Sequence, residues 1–400
     1  MKKTGFMVLL VGLTMLNNDI PLFGAEDSLP KFVSFAQKKM PLGLGEENHN
    51  SPIWLGDGKT IAFGIRWLSK SSGTEDAIYL INVDGTNLRE FLIGAHTHYW
   101  SNDGKKLVFE GLHLSASIIN IDGTNLCELK DLMTDKGVLK PSPRVGFRGD
   151  FRFSPDGNKL ATVINVSVDK KQASHQGAYI GQMEDVIERQ IWIFDLTSKS
   201  AGKLIAGFNP VWSPDGKRIA FRAENNVANQ PKPKWEEYDK SELCLIDTDG
   251  KNLRNFGAAT DGGQRIAWSP DGKMIYYETK GNIWPNIWVI NLLNKEKRCL
   301  TSINKQPEYD NQGGEGFILS PNGKEIVFAR EGDIWKLNLT SIENGLPRKT
   351  QLTNSPDLQW TNPGCWSPDG RKIVFPRRCE IRIMNSDGSG QKKLTFLKND

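Results

Sequence analysis

Short apolar runs alternate with compact polar turns along most of this chain, and the alternation repeats. A large apolar residue followed by a polar turn recurs seven times: Trp54-Leu-Gly-Asp-Gly58, Trp100-Ser-Asn-Asp-Gly104, Phe153-Ser-Pro-Asp-Gly157, Trp212-Ser-Pro-Asp-Gly216, Trp268-Ser-Pro-Asp-Gly272, Leu319-Ser-Pro-Asn-Gly323 and Trp366-Ser-Pro-Asp-Gly370. Successive turn glycines lie 46, 53, 59, 56, 51 and 47 residues apart, the spacing of four-stranded propeller blades. Asp-Gly signals a tight turn, because glycine adopts positive φ freely and aspartate tolerates it, while a preceding proline presets one dihedral.

Each turn leads into a β-branched and aromatic run, as in Thr60-Ile-Ala-Phe63, Lys106-Leu-Val-Phe109, Arg218-Ile-Ala-Phe221 and Lys372-Ile-Val-Phe375. A third run follows, as in Ile78-Tyr-Leu-Ile-Asn82 and Ile287-Trp-Val-Ile-Asn291, and several such runs end in a second Asp-Gly turn (Asp84-Gly85, Asp122-Gly123, Asp249-Gly250, Asp387-Gly388). A short fourth run closes the unit, as at Arg298-Cys-Leu-Thr301, Gln351-Leu-Thr353 and Lys393-Leu-Thr395. Strand, turn, strand, loop, strand, turn, strand is one antiparallel blade. The pattern therefore predicts an all-β fold over residues 51–400, a seven-bladed β-propeller of four-stranded antiparallel blades. The Trp heading most units is expected to pack between blades, burying ~150–250 Å² apiece.

The phrase Trp-Ser-Pro-Asp-Gly-Lys-x-Ile-Ala-Phe resembles the repeat of the TolB-like β-propeller family, and the resemblance covers about residues 50–396. It departs from TolB proper, which carries an α/β domain ahead of six blades; here seven units follow a short lead of residues 26–50. The TolB propeller docks a peptidoglycan-associated lipoprotein, so the resemblance implies an adaptor style of function.

Residues 1–25 read as a signal peptide: Lys2 and Lys3 precede an apolar stretch from Phe6 to Leu16, too short to span a bilayer, with Gly24 and Ala25 at a cleavage point. An uncleaved anchor is the alternative. The expected location is periplasmic or secreted, with no membrane span in the mature chain. Charged residues are 24% of the chain and net charge is +4, which excludes the basic stripe of a nucleic-acid binder. The five cysteines show no CxxC spacing; Cys365 and Cys379 share a repeat and are either disulfide partners or ordinary core thiols.

Blade topology places all Asp-Gly turns on one side of the ring and the variable connections on the other. The long segments are Lys130 to Asp150, Asn165 to Gln190 (with His175, Tyr179 and Glu184), Ala223 to Glu242 and Ser302 to Gly316. Insertions gathered on one side of a repeat array mark its binding side. Residues just ahead of each first strand should ring the channel mouth there: His96, His98, Arg148, Asp150, Asn209, Gln264, Arg265, Glu315 and Asn362. They are polar and differ from blade to blade, as ligand contacts would; solvated mouth residues are the plainer reading.

His96-Thr-His98 alone has metal-like spacing, since alternate residues of a strand share a face. Some exported seven-bladed propellers of related repeat type are manganese-dependent lyases of oligogalacturonides, and this pair is similar to part of their ligand set. No His follows residue 175, so Gln264, Glu315 or Asp150 would have to complete such a site. No cofactor is therefore expected, a divalent metal being the exception the His pair leaves open. Propeller-bearing peptidases add a Gly-x-Ser-x-Gly elbow; the sequence has none, so that class is set aside. The sequence thus points to an exported binding scaffold rather than an enzyme, a monomer that engages an envelope protein or a glycan. The competing reading is a metal-dependent polysaccharide lyase.

Overall fold

A computed structural model describes residues 48–69, 73–95, 97–110, 116–133, 146–168, 178–180, 186–224, 241–258, 265–279, 286–301, 316–343, 345–354, 363–377 and 380–395. Seven antiparallel sheets follow one another along the chain, over 48–93, 97–128, 146–206, 208–258, 266–299, 317–351 and 365–393. They are blades 1 to 7 of an all-β propeller, with the four main strands of each numbered 1 to 4 in chain order; in blade 3 these are Arg152–Phe153, Lys159–Val168, Val186–Asp195 and Ser200–Ala206, and the short strands Gly146–Phe147 and Ala178–Ile180 are added to them. Among the described residues the one helical element is a 3₁₀ turn, Leu129–Leu132. The candidate signal peptide and the segment around Lys31 to Ala36 lie outside the described residues.

Strand 2 explains why no period-of-two pattern marks these strands. Ile61, Ala62 and Phe63 are all fully buried, as are Leu107 and Val108, Ile219, Ala220 and Phe221, and Ile373 and Val374. Each sheet lies between two others, so both of its sides are core and the strand reads as a continuous apolar run.

A separate apolar cluster fills each interface between consecutive blades. The seventh cluster joins Val374, Ile381, Ile383 and Leu394 of blade 7 to Trp54, Phe63 and Tyr79 of blade 1. Packing between these two blades closes the ring, each contributing four strands of its own.

The repeat Trp residues belong to this core: Trp54, Trp100, Trp212, Trp268 and Trp366 are all buried. Three of the indoles also tie blades together. Trp212 Nε1 donates to Arg152 O (2.8 Å), Trp268 Nε1 to Val211 O (3.1 Å) and Trp366 Nε1 to Ile318 O (3.3 Å), each reaching back to strand 1 of the preceding blade. Phenylalanine would supply the packing but not this bond.

The turn between strands 1 and 2 is nearly identical in six blades. In Trp212-Ser-Pro-Asp-Gly216 the Ser213 hydroxyl donates to Asp215 (2.5 Å) and accepts from Arg218 N (2.9 Å), while Asp215 accepts from Lys217 N (3.1 Å). The same three bonds recur around Ser101, Ser154, Ser269, Ser320 and Ser367. The seven turn glycines hold φ between 67° and 70°, the left-handed region that favours glycine. Blade 1 has Leu55 in place of the serine, and there Asp57 takes the amides of Lys59 and Thr60 (2.8 Å each) and the Thr60 hydroxyl (2.6 Å).

The opposite side is uneven. Strands 2 and 3 pair over ten residues in blades 1 and 3 but over five in blade 2. At about 3.4 Å per residue the taller hairpins rise ~17 Å further. The segment from Asn165 to Gln190, expected as a long connection, is in good part strand: strand 2 continues through Val168, strand 3 starts at Val186, and Ala178–Ile180 adds to its edge. The β-branched residues of Val166-Ser-Val168 and Val186-Ile187 favour this extension. Gly146–Phe147, at the end of the long segment from Lys130 to Asp150, pairs with the same strand 2 on its other edge.

Four cysteines, Cys127, Cys244, Cys299 and Cys365, carry free thiols, and Cys379 lies outside the described residues. Burial pushes the Cys244 thiol up to about 12, as expected of a core residue rather than a reactive one.

Candidate functional site

The candidate residues among the described ones fall on the uneven side, at the inner ends of the blades where strand 1 begins. His98, on strand 1 of blade 2 (Thr97–Trp100), is buried and pairs in register with Phe109. Arg148, exposed, donates its amide to Val163 O (3.1 Å). Asp150 and Asn209 both take φ 53°, a left-handed conformation uncommon outside glycine, immediately ahead of or within strand 1 of blades 3 and 4. Arg265 precedes strand 1 of blade 5. His96, Gln264, Glu315 and Asn362 lie outside the described residues, as do His175 and Glu184.

Two charged groups assemble there across blade boundaries. The first joins blades 2, 3 and 4. Glu110, at the end of strand 2 of blade 2, accepts the amide of Gly149 through Oε1 (2.8 Å). Next to it, burial raises Asp150 above the usual carboxylate range; Arg152, Arg189 and the Asn209 amide oppose this, and the nearby Glu110 charge adds to it. The Arg189 guanidinium lies 4.2 Å from the centroid of Phe208, and burial lowers its pKa against the pull of Asp150. Arg152 sits 5.3 Å from the centroid of Tyr99. Cations held by a ring on one side and a carboxylate on the other are fixed in place.

The second group joins blades 4, 5 and 6. Arg222 is the bulkiest of the fully buried side chains; its Nη2 donates to Glu278 O (2.9 Å) and its Nη1 to Ser241 Oγ (3.4 Å). Burial brings its pKa down to about 10, with the Glu278 charge acting the other way. Glu278 in turn holds Arg265: its Oε2 accepts the Arg265 amide (3.3 Å) and its own amide donates to Arg265 O (3.1 Å). Gly316 of blade 6 lies directly against this arginine, since a Cβ there would come 2.1 Å from Arg265 Nε. The positive φ of Gly316 (84°) and the nearness of this side chain both favour glycine at that point.

Of the sequence candidates, Asp150 and Asn209 meet in the first group, Arg148 lies two residues from Asp150, and Arg265 belongs to the second. Sequence reasoning missed Glu110, Arg152, Arg189, Arg222 and Glu278. A signal for three of them was present. The residue after the strand 2 aromatic is Glu110, Arg222 and Glu278 in blades 2, 4 and 5, where blades 1, 6 and 7 have Gly64, Ala329 and Pro376. A charge inside an apolar repeat position asks for a partner, and each of these has one across the blade boundary.

The metal reading requires donors that converge. Among the described residues no three His, Cys, Asp or Glu side chains form a ligand set. His98 sits in the candidate region and its proposed companion His96 lies outside the described residues. The described donors therefore do not make a metal site, and no metal chemistry is derived from them.

No protein-family profile matches the sequence. The chain is 25% identical over 230 residues to a Bacillus subtilis (strain 168) protein described as the uncharacterized peptidase YuxL, a match covering 56% of this chain and 29% of that protein. The chain thus spans under a third of this curated relative's length. Among solved structures, the β-propeller domain of the Trilobed protease from Pyrococcus furiosus, described as having an open velcro topology, is similar with a TM-score of 0.58 and 13% identity, over 89% of this chain and 98% of that one. An oligogalacturonate lyase solved in complex with manganese is similar with a TM-score of 0.55 and 15% identity, over 87% of this chain and 92% of that one. At such identities the likeness to the two structures shows the propeller fold alone.

Proposed function

We propose that this protein is an exported propeller that binds a protein partner, or a glycan, in the cell envelope through the uneven side of its ring. One observation carries the reading. Charge stands at a repeat position that is small or apolar in the other blades, buried at Arg222 and Glu278 and half-buried at Glu110, and it bonds the backbone of Gly149, next to Asp150, and of Arg265. Architecture alone has no use for buried charge, which costs desolvation energy that apolar packing would avoid. The resemblance of the repeats to the TolB-like family supports a docking role, and the apolar stretch from Phe6 to Leu16 behind Lys2 and Lys3 supports export. Affinity capture from envelope extracts, repeated with competing oligosaccharides, tests this. A stoichiometric protein or glycan is expected, and recovery of background proteins alone would overturn the proposal.

A second reading, metal-dependent lyase action on an acidic polysaccharide, rests on the His96-Thr-His98 spacing. Metal content of the purified protein by mass spectrometry, beside a His96→Ala/His98→Ala variant, decides it. Stoichiometric metal lost in the variant would favour the lyase, and metal-free folded protein would remove it. The 400 residues contain no Gly-x-Ser-x-Gly pentapeptide, so no peptidase step is assigned to them.

A further inference from the structure

The indoles at the repeat Trp position fall into two kinds. Trp212, Trp268 and Trp366 each donate to a carbonyl of the preceding blade, at the residue just ahead of that blade's own ring position: Arg152, Val211 and Ile318. The same reach would take Trp100 to Ile53 O of blade 1, and Trp54 to Cys365 O of blade 7. Neither bond forms. Trp54 Nε1 and Trp100 Nε1 are both buried and meet no acceptor among the described residues. A buried donor without a partner keeps its full desolvation cost, which a phenyl ring at the same place would not carry. Phe153 and Leu319 stand at this position in blades 3 and 6, so the fold does not require an indole there.

Both unbonded ring-position indoles border blade 1. Trp54 packs in the cluster shared with blade 7, and Trp100 in the cluster shared with blade 2. The bonded indoles join blades 3 to 4, 4 to 5 and 6 to 7, and Phe153 and Leu319 fill the two interfaces that remain. Trp288 Nε1 and Trp335 Nε1 also meet no acceptor, but those side chains are half-exposed and lie on strand 3. Blade 1 shares no strand with blade 7, so side-chain packing holds that seam. The Trp54 amide there is bonded to the Cys365 thiol, a weak acceptor.

Proteins open locally in cooperative units, and the unit with the weaker contacts on its flanks parts first. We infer that blade 1 is the opening blade of this ring, detaching as a unit from blades 7 and 2 while the other six stay stacked. Packing keeps it seated in the closed ring, through Ile61, Phe63 and Tyr79 towards blade 7 and through Ala62, Ile78 and Leu80 towards blade 2. Strand 1 is the innermost strand, since the indole bonds run from strand 1 to strand 1 of adjacent blades. Departure of blade 1 therefore uncovers the channel from the side as well as from its mouth. The inference rests on the blade interfaces and does not depend on what binds at the uneven side.

The test is native-state hydrogen–deuterium exchange of the full chain, read by mass spectrometry and corrected for intrinsic rates. Residues 61–65 and 78–81 lie on the two middle strands of blade 1, and residues 219–222 and 243–246 are their counterparts in blade 4. The blade 1 amides are expected to exchange about tenfold faster than those of blade 4. Trp54→Phe/Trp100→Phe keeps both rings and removes the unpaired donors. It should slow exchange in blade 1 about tenfold, leave blade 4 unchanged and raise the melting temperature. Trp212→Phe removes a bonded donor instead, and should speed exchange in blades 3 and 4 and lower the melting temperature. Equal exchange of blades 1 and 4 in the wild type would overturn the inference. So would unchanged or faster exchange of blade 1 in the Trp54→Phe/Trp100→Phe variant.

Discussion

The two sides of the ring differ in what their polar residues do. On the turn side, Ser213, Asp215 and their counterparts in five other blades make the same three short-range bonds. The uneven side has bonds that cross blade boundaries and are different each time, such as Glu110 to Gly149 and Arg222 to Glu278. Repetition is what a structural device looks like when the same problem arises seven times. Variation at equivalent positions, bought with buried charge, is what a specific site looks like. Folding accounts for the first side; the second asks for a ligand.

The largest effect should come from breaking the regular side. Trp212→Ala removes packing between blades 3 and 4 and the bond to Arg152 O, and should cost ~3–5 kcal/mol in denaturant unfolding. Ser213→Ala leaves the Arg218 amide and Asp215 without their shared hydroxyl and should cost ~1–3 kcal/mol by the same assay.

Acid distinguishes the sides by sign. Hydrogen bonds from Ser154, Ser213, Ser269 and Ser367 hold Asp156, Asp215, Asp271 and Asp369 below the usual carboxylate range. Their stabilisation is present above that range and is lost as pH falls through the depressed folded values. The melting temperature should therefore hold at mildly acid pH and fall below about pH 4. Asp150 works in the opposite sense: its raised folded pKa makes the ionised form a burden that is relieved as pH falls towards the unfolded value. Asp150→Asn should accordingly raise the melting temperature at pH 7 while weakening ligand capture. The smallest effect on stability belongs to Arg148→Ala, within ~0.5 kcal/mol because the side chain is exposed. Capture should nevertheless fall, since this residue lies at the mouth.

The same contrast explains what was legible in the sequence. Ser, Asp, Gly and the amide they bind fall within six residues, so each turn could be recognised from its own segment, and seven of them gave the blade count. The Trp positions were equally legible, because a large ring at a fixed repeat position has one economical place between blades. Site partners are far apart along the chain: Glu110 and Gly149 are 39 residues apart, Arg222 and Glu278 56. No local pattern connects them, and only the stacking of blades brings them together. The length of the blade 3 hairpin was obscured for a related reason. Its extension past Val166 follows from pairing with strand 3, which starts again at Val186 beyond a segment whose polar residues look like a loop.

The most direct test of the central claim sets the two sides against each other in one capture experiment from detergent-solubilised envelope extracts. Wild type, Arg148→Ala/Asn209→Ala on the uneven side and Lys217→Gln/Lys273→Gln on the turn side would be compared at matched folding. The account predicts that a specific protein or glycan is retained by wild type and the turn-side variant and lost from the uneven-side variant. Retention by the uneven-side variant with loss from the turn-side variant would contradict it.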